Sequence, residues 1–193
     1  MEKHRKQIRL LHFDYGNTGT YYVTICTHER KRFLSTVENG KVTLTNFGTI
    51  VLEELLKTIN MRTYVSLDDF VIMPNHLHVI LFFHERAAEH LPEKQDSPIR
   101  NFGGSEQHSL SSVVANFKAA VTNRIRKETG KEKAIIWQRG FYEHIIRDEK
   151  DLMRIRDYIT TNPLNWSIDE ENPDYKPQFV GAHGSVPTEL RKS

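Results

Sequence analysis

Short apolar runs bounded by turn residues predict three strands in the first half of the chain. Residues 21–27 are rich in β-branched and aromatic side chains, which favour extended structure. Residues 65–73 and 76–83 form two further runs, and the Pro74-Asn75 pair between them suits a tight connection. We therefore expect a first core strand and, later in the chain, an antiparallel hairpin.

Apolar residues at helical spacing predict three helices. Asn46 is suited to cap the first helix, Ser109 starts a second helix with a basic face, and Asp148 caps a third. Residues 135–146 predict one more strand just before the third helix, and Gly140 indicates a bulge or bend within it. The predicted chain is thus a mixture of strands and helices, an α/β protein.

Two polar stretches lack any apolar periodicity. Residues 84–108 are rich in proline, glycine and charge, which is typical of a long mobile loop. Beyond Trp166 the chain is polar and contains proline, so we expect a loosely held tail. These patterns predict one domain in residues 1–166 and a polar tail in residues 167–193.

Composition narrows the class of protein. With 193 residues and 38% hydrophobic content, the chain can bury one core. The formal net charge of +2 is too small to indicate nucleic-acid binding by itself, although basic residues cluster locally near the N-terminus and in residues 118–139. A lone Cys26 and the lack of a long apolar run indicate a reducing cytoplasm, with neither export nor membrane insertion.

A His-x-His pair opens one of the predicted strands. Because side chains alternate across a strand, His76 and His78 face the same side while Leu77 faces the other. Imidazole is a common metal ligand, so the pair predicts a metal site. Two alternatives are a pair of surface histidines and part of a structural zinc site.

Tyr158 and Asn162 lie four residues apart, hence on one face of the third helix. Tyrosine can attack phosphorus, and the amide oxygen of Asn162 can serve as a third metal ligand. Phosphate chemistry favours Mg²⁺ or Mn²⁺ as the cofactor, although imidazole also suits cobalt and zinc. The alternatives are that Tyr158 is a packed aromatic and that Asn162, before Pro163, only ends the helix, since proline disfavours helical geometry there.

Four separated blocks, in order, resemble the REP-associated tyrosine transposases, and the resemblance spans about residues 5–166. The blocks are residues 21–27 (YYVTICT), 73–78 (MPNHLH), 137–149 (WQRGFYEHIIRDE) and 158–163 (YITTNP).

The resemblance implies a specific fold and chemistry. Relatives are single-tyrosine transposases of the HUH nuclease superfamily, with a ferredoxin-like (RRM-like) α+β fold in which helices pack on an antiparallel sheet. It implies cleavage of single-stranded DNA through a covalent 5′-phosphotyrosine at Tyr158. It also implies a divalent cation held by His76 and His78, with Asn162 where simpler relatives carry glutamine.

The resemblance further implies that the partner is hairpin-forming repetitive DNA. Five residues are candidate contacts to that DNA: Lys118, Arg124, Trp137, Arg139 and Tyr142. Core packing is the alternative for the aromatics, and a solvated helix face is the alternative for the lysine. His144 is a candidate support for the metal site. We expect a monomer rather than a homodimer, acting in the bacterial cytoplasm at the nucleoid.

Two other functions stay open on sequence grounds. The first is a non-catalytic module that binds DNA or RNA hairpins, without metal dependence and without a covalent product. The second is a metal-dependent hydrolase that uses activated water on a small phosphoester, with Tyr158 merely packed.

Overall fold

A computed structural model describes residues 18–84, 108–169 and 171–175. The strands are β1 (Gly19–Cys26), β2 (Ser35–Glu38), β3 (Lys41–Leu44), β4 (Val65–Ile72), β5 (His76–Phe83) and β6 (Tyr142–Ile146). The helices are α1 (Asn46–Asn60), α2 (Leu110–Thr129) and α3 (Glu149–Thr161), with short 3₁₀ segments at His28–Arg30 and Trp166–Ile168.

The main sheet has the strand order β4-β5-β1-β6, and every neighbouring pair is antiparallel. Together with the chain order β1-α1-β4-β5-α2-β6, this arrangement is a ferredoxin-like α/β fold, which confirms the fold that the family resemblance implies. The predicted hairpin is confirmed as β4 and β5, with a register shift between Leu67 and Phe70.

A second, two-stranded sheet of β2 and β3 was not predicted. Its turn is Asn39-Gly40, with φ of 51° and 75°, and two consecutive positive φ angles are typical of a type I′ hairpin turn. The Asn-Gly pair is therefore the sequence signal that could have revealed this hairpin.

The two faces of the main sheet carry different helices. Helices α1 and α2 bury their apolar residues in one large core that includes Val23, Val51 and Val113. On the opposite face α3 packs in a smaller cluster, whose buried members are Tyr22, Ile80, Ile146, Leu152, Ile155 and Ile159. This second face also carries the candidate site.

Two polar contacts hold α3 across the sheet. Arg156 forms a bidentate ion pair with Asp68 of β4, at 2.8 and 2.7 Å. His144 of β6 bonds through Nε2 to Asp151 Oδ2 at 2.7 Å. Because these contacts reach opposite edges of the sheet, they limit how α3 can shift or rotate.

Helix starts agree with prediction to within one residue. Ser109 and Asp148 cap α2 and α3 as expected, each accepting a bond from the backbone three residues later. The cap of α1 is Thr45, not Asn46 as predicted, because the Thr45 hydroxyl accepts from the Gly48 N–H.

The strand expected over residues 135–146 is shorter than predicted. Only Tyr142–Ile146 is a strand, and Trp137 forms an isolated bridge with Thr27. Gly140 has φ of 77°, a left-handed conformation that interrupts the extended chain between these two pairings.

Residues after Trp166 are held more firmly than the predicted loose tail. Asn172 is buried, and its Nδ2 donates to the Trp166 carbonyl at 2.9 Å. The described residues of this stretch reach Tyr175, so the domain division at residue 166 stays a prediction. Most of the predicted loop, residues 85–107, lies outside the described residues. No helix in the described ranges combines the length and apolar character needed to cross a membrane.

Candidate active site

The start of β5 places two histidine rings side by side beneath α3. Their ring centroids lie 4.4 Å apart, and His76 and His78 are 0% and 2% exposed. His76 Nδ1 lies 2.8 Å from the Asn75 side-chain oxygen. His78 Nδ1 lies 2.7 Å from the Tyr22 hydroxyl and 2.9 Å from the Thr24 hydroxyl.

The contact with Asn75 fixes the tautomer of His76. The Asn75 oxygen can only accept, so Nδ1 of His76 carries the proton and Nε2 presents a lone pair. The hydroxyls of Tyr22 and Thr24 can either donate to Nδ1 of His78 or accept from it, so both are compatible with a proton on Nδ1 and a lone pair on Nε2. Both Nε2 atoms are buried and, in the part of the chain that the structure describes, have no hydrogen-bond partner.

Burial also keeps both rings neutral. It lowers the pKa of His76 to about 3, with a further decrease from the charge of Arg30 and an opposing increase from the side chain of Asn162. Burial lowers the pKa of His78 well below its usual range, and the neighbouring His76 lowers it further. Neutral imidazole is the form that coordinates metal ions.

Asn162 brings an amide to the same place, since its side chain lies close enough to His76 to raise the pKa of that ring. Its side chain is 2% exposed, its Nδ2 donates to Asp169 Oδ2 at 3.0 Å, and its Oδ1 is buried without a partner within residues 18–84, 108–169 and 171–175. The backbone of Asn162 is helical, with φ −55° and ψ −42°, although α3 ends at Thr161. The expected departure from helical geometry before Pro163 is therefore wrong, and the chain makes a further turn there.

The donor set fits a divalent cation. Three atoms of this site are buried and lack hydrogen-bond partners among the described residues: Nε2 of His76, Nε2 of His78 and Oδ1 of Asn162. A buried polar atom without a partner is costly, and a metal ion would satisfy all three. The described residues hold no cluster of three His, Cys, Asp or Glu side chains suited to a metal, so a third protein ligand would have to be the amide.

Tyr158 lies one helical turn before Asn162 and faces the histidines. Its ring centroid is 5.3 Å from that of His78 and 6.3 Å from that of Tyr22, with the two tyrosine rings perpendicular. The Tyr158 residue is half-buried, so part of it is exposed to solvent. The structure thus brings the four residues predicted as ligands and nucleophile into one site.

Three of the predicted DNA contacts have structural partners. Lys118 Nζ donates to the carbonyls of Gln138 and Gly140 at 2.7 Å each, and burial lowers its pKa. Arg124 forms ion pairs with three carboxylates, those of Glu53, Glu54 and Glu128. Trp137 is 6% exposed and packs in the large core. Trp137 is therefore a core residue, as the alternative interpretation predicted. The charged groups of Lys118 and Arg124 are already bonded to other groups of the protein.

The remaining predicted contacts are more accessible. Arg139 is exposed, and Tyr142 is half-buried with its ring 6.3 Å from that of Tyr22, on the face that carries the histidines. His144 bonds to Asp151, near the start of α3. Support of the site by His144 stays a prediction.

Sequence reasoning missed the residues that orient the ligands. Asn75 was read as a turn residue and Tyr22 as part of an apolar strand, yet each bonds to a histidine. Strand alternation puts Tyr22 and Thr24 on one face of β1, but only the register, which pairs Thr24 with His78, brings them to the ring. Asp169 carried no local signal.

Comparison with known proteins identifies the family. No family model matches the chain. An uncharacterized protein of Haemophilus influenzae (strain Rd) is 36% identical over 178 residues, covering 86% of this chain and 92% of that protein. A second protein of that strain, named "Putative REP-associated tyrosine transposase", is 30% identical over 185 residues, covering 92% and 87%.

A solved structure of a REP-associated tyrosine transposase bound to a REP hairpin is similar in fold. Its TM-score is 0.53 at 20% sequence identity, and the match covers 88% of this chain and 77% of that one. The identity to the named Haemophilus protein extends over nearly the whole of both chains. The chain therefore belongs to the family of REP-associated tyrosine transposases.

Proposed function

We propose that this protein cuts and rejoins single-stranded DNA through a covalent bond between Tyr158 and a 5′-phosphate, with a divalent cation held by His76, His78 and Asn162. The observation that carries the proposal is the set of three buried, unpartnered ligand atoms beside a half-buried phenol. Most buried polar atoms in proteins have a hydrogen-bond partner, so three buried ligand atoms without one at a single place favour a bound cation.

Hairpin-forming DNA is the proposed substrate. The solved relative is bound to a REP hairpin, and the named Haemophilus relative belongs to the same family, which supports this choice. Arg139 and Tyr142 are the proposed contacts to unpaired nucleotides, because an exposed guanidinium can bind phosphate and an accessible ring can stack on a base.

The bound cation would neutralise charge on the scissile phosphate and help to position it. His76 presents a lone pair at Nε2 because its Nδ1 proton is bonded to Asn75, and Asn162 presents its oxygen. His78 would present its Nε2 lone pair with its Nδ1 proton directed at the hydroxyls of Tyr22 and Thr24. Two nitrogen ligands and one oxygen ligand are compatible with Mn²⁺ and, less favourably, with Mg²⁺.

Tyr158 is the proposed nucleophile. Its oxygen forms a bond to phosphorus, the bond from phosphorus to the 3′-oxygen breaks, and the proton lost by the phenol balances the one gained by the leaving 3′-hydroxyl. Attack of another 3′-hydroxyl on the phosphotyrosine reverses these changes and rejoins a strand. The covalent link conserves the phosphodiester energy, so no nucleotide triphosphate is required.

The test uses hairpin-bearing single-stranded oligonucleotides with the full chain, in Mn²⁺, Mg²⁺ or EDTA. We expect a protein-linked strand on a denaturing gel with Mn²⁺ or Mg²⁺ and none with EDTA. Tyr158→Phe should bind the hairpin but give no adduct, whereas Tyr64→Phe, at the opposite end of the sheet and packed against Phe83, should react like the parent. Hairpin binding without any adduct, in either metal, would instead indicate a non-catalytic binding module.

A further inference from the structure

Only one end of the Asn162 amide can ligate a cation. The carbonyl oxygen carries lone pairs, whereas the amide nitrogen is a donor and would repel a positive ion. The two ends have almost the same shape, so packing alone selects poorly between them. A residue outside the ligand set must therefore decide which end faces the histidines.

We propose that Asp169 is the positioning residue that makes this choice, an inference that rests on the proposed metal site. Asp169 Oδ2 accepts a hydrogen bond from Asn162 Nδ2 at 3.0 Å. A carboxylate accepts and does not donate, so only the nitrogen end of the amide can face it. The Oδ1 end is thereby directed to the opposite side, where it is buried and lacks a partner in the described part of the chain.

The other oxygen of Asp169 is also engaged. Oδ1 accepts from the Glu171 backbone N–H at 2.7 Å. Glu171 is in turn tied to the site, because its carbonyl accepts from Asn75 Nδ2 at 2.6 Å and its carboxylate pairs with Arg30 at 3.1 Å. Asn75 is the residue that orients His76, so this segment supports two of the three proposed ligands.

This geometry predicts what an isosteric change would do. In Asp169→Asn, the Glu171 N–H still needs an acceptor, so the new amide keeps its oxygen there and turns its NH₂ toward Asn162. Asn162 must then present its own oxygen to that NH₂ and its nitrogen to the cation. Metal binding should weaken although shape and packing are nearly unchanged.

A second substitution, Asn162→Asp, reverses which group residue 169 must present, because residue 162 then needs a donor opposite it. Asn162→Asp places two carboxylates face to face, which repel one another and favour uptake of a proton that would compete with the cation. Adding Asp169→Asn to that variant restores a donor opposite an acceptor and leaves a carboxylate oxygen for the cation. Asp169→Asn should therefore weaken metal binding in the parent and strengthen it in the Asn162→Asp background.

The experiment measures Mn²⁺ binding to the full chain by isothermal titration calorimetry, for the parent, both single variants and the double variant. We expect Asp169→Asn to weaken binding by about 10-fold or more, the scale typical of residues that orient metal ligands. We expect the double variant to bind more tightly than Asn162→Asp. Urea unfolding without metal should show that the variants remain folded.

Two results would overturn the inference while leaving the metal site intact. One is Mn²⁺ binding by Asp169→Asn equal to that of the parent. The other is a weakening by Asp169→Asn of the same size in both backgrounds, because this would mean that residue 169 acts through charge or packing. A parent protein that does not bind Mn²⁺ would overturn both this inference and the proposed function.

Discussion

Acid should destabilise the metal-free protein through its two buried histidines. Burial lowers the pKa of His76 to about 3 and that of His78 well below its usual range, whereas both rings titrate near 6.5 in the unfolded chain. Above 6.5 both states are neutral, and neither ring makes stability depend on pH. As the pH falls below 6.5, the unfolded chain binds protons that the folded protein excludes, so the free energy of unfolding decreases.

The magnitude follows from the two titrations. Between pH 7 and pH 5.5, an unfolded-state pKa of 6.5 with no protonation in the folded state costs about 1.3 kcal/mol per histidine. The two rings together should remove about 2.5 kcal/mol over this interval. For a protein whose total stability is of the order of 5–15 kcal/mol, this is a measurable fraction.

The assay is urea unfolding in EDTA at pH 7 and pH 5.5, for the parent and for His78→Asn. Asparagine retains a donor near Nδ1, toward the hydroxyls of Tyr22 and Thr24, but does not titrate in this range. The variant should lose about 1.3 kcal/mol less than the parent between the two pH values. The contributions of other titrating groups to the pH dependence cancel, because the same groups are present in both proteins and only the difference between the proteins is compared.

His84→Gln is the matched control. His84 is exposed and its Nε2 bonds to the Ser66 hydroxyl, so this variant tests whether the effect is specific to a buried histidine. If His78→Asn loses as much stability as the parent on acidification, the histidine is not held neutral by burial and the reasoning fails.

Three other substitutions test the packing and the support of the site. Ile155→Ala, in the fully buried centre of α3, should cost about 2 to 5 kcal/mol in urea unfolding. Gly48→Ala should cost about 3 kcal/mol in the same assay, because its Cβ would lie 2.0 Å from the Leu34 carbonyl oxygen. Tyr22→Phe removes the hydroxyl beside His78 Nδ1 and should weaken Mn²⁺ binding by about 10-fold in calorimetry. Unchanged values would contradict each expectation.

Local periodicity was sufficient to predict that the candidate site residues form two pairs, each on one face of its own element. Alternation along β5 puts His76 and His78 on one face, and helical spacing puts Tyr158 and Asn162 on one face, whatever the rest of the fold. That the two pairs meet depends on the docking of α3, and this rests on contacts such as the one between Arg156 and Asp68, 88 positions apart. Sequence spacing does not reveal such a long-range contact. The expectation that the two pairs of residues share one site came instead from the family resemblance.

The same limit explains why the structure gives some residues a role other than the predicted one. An aromatic residue and a lysine, such as Trp137 and Lys118, are typical of DNA-binding surfaces. In the fold, however, Trp137 is buried and Lys118 donates to two backbone carbonyls. Asp169 lies in a polar stretch that resembles a tail, yet its carboxylate meets Asn162 seven positions earlier in the chain. Polar composition predicts exposure on average, and it fails where a buried amide needs an acceptor.

The identity of the residue that carries the DNA is the most direct test of the account. After reaction with a hairpin-bearing oligonucleotide in Mn²⁺, the protein is digested with trypsin and nuclease, and the modified peptide is sequenced by tandem mass spectrometry. We expect a nucleotide attached through its 5′-phosphate to Tyr158. Attachment to another tyrosine, or strand cleavage by the parent without any peptide-linked nucleotide, would contradict the account.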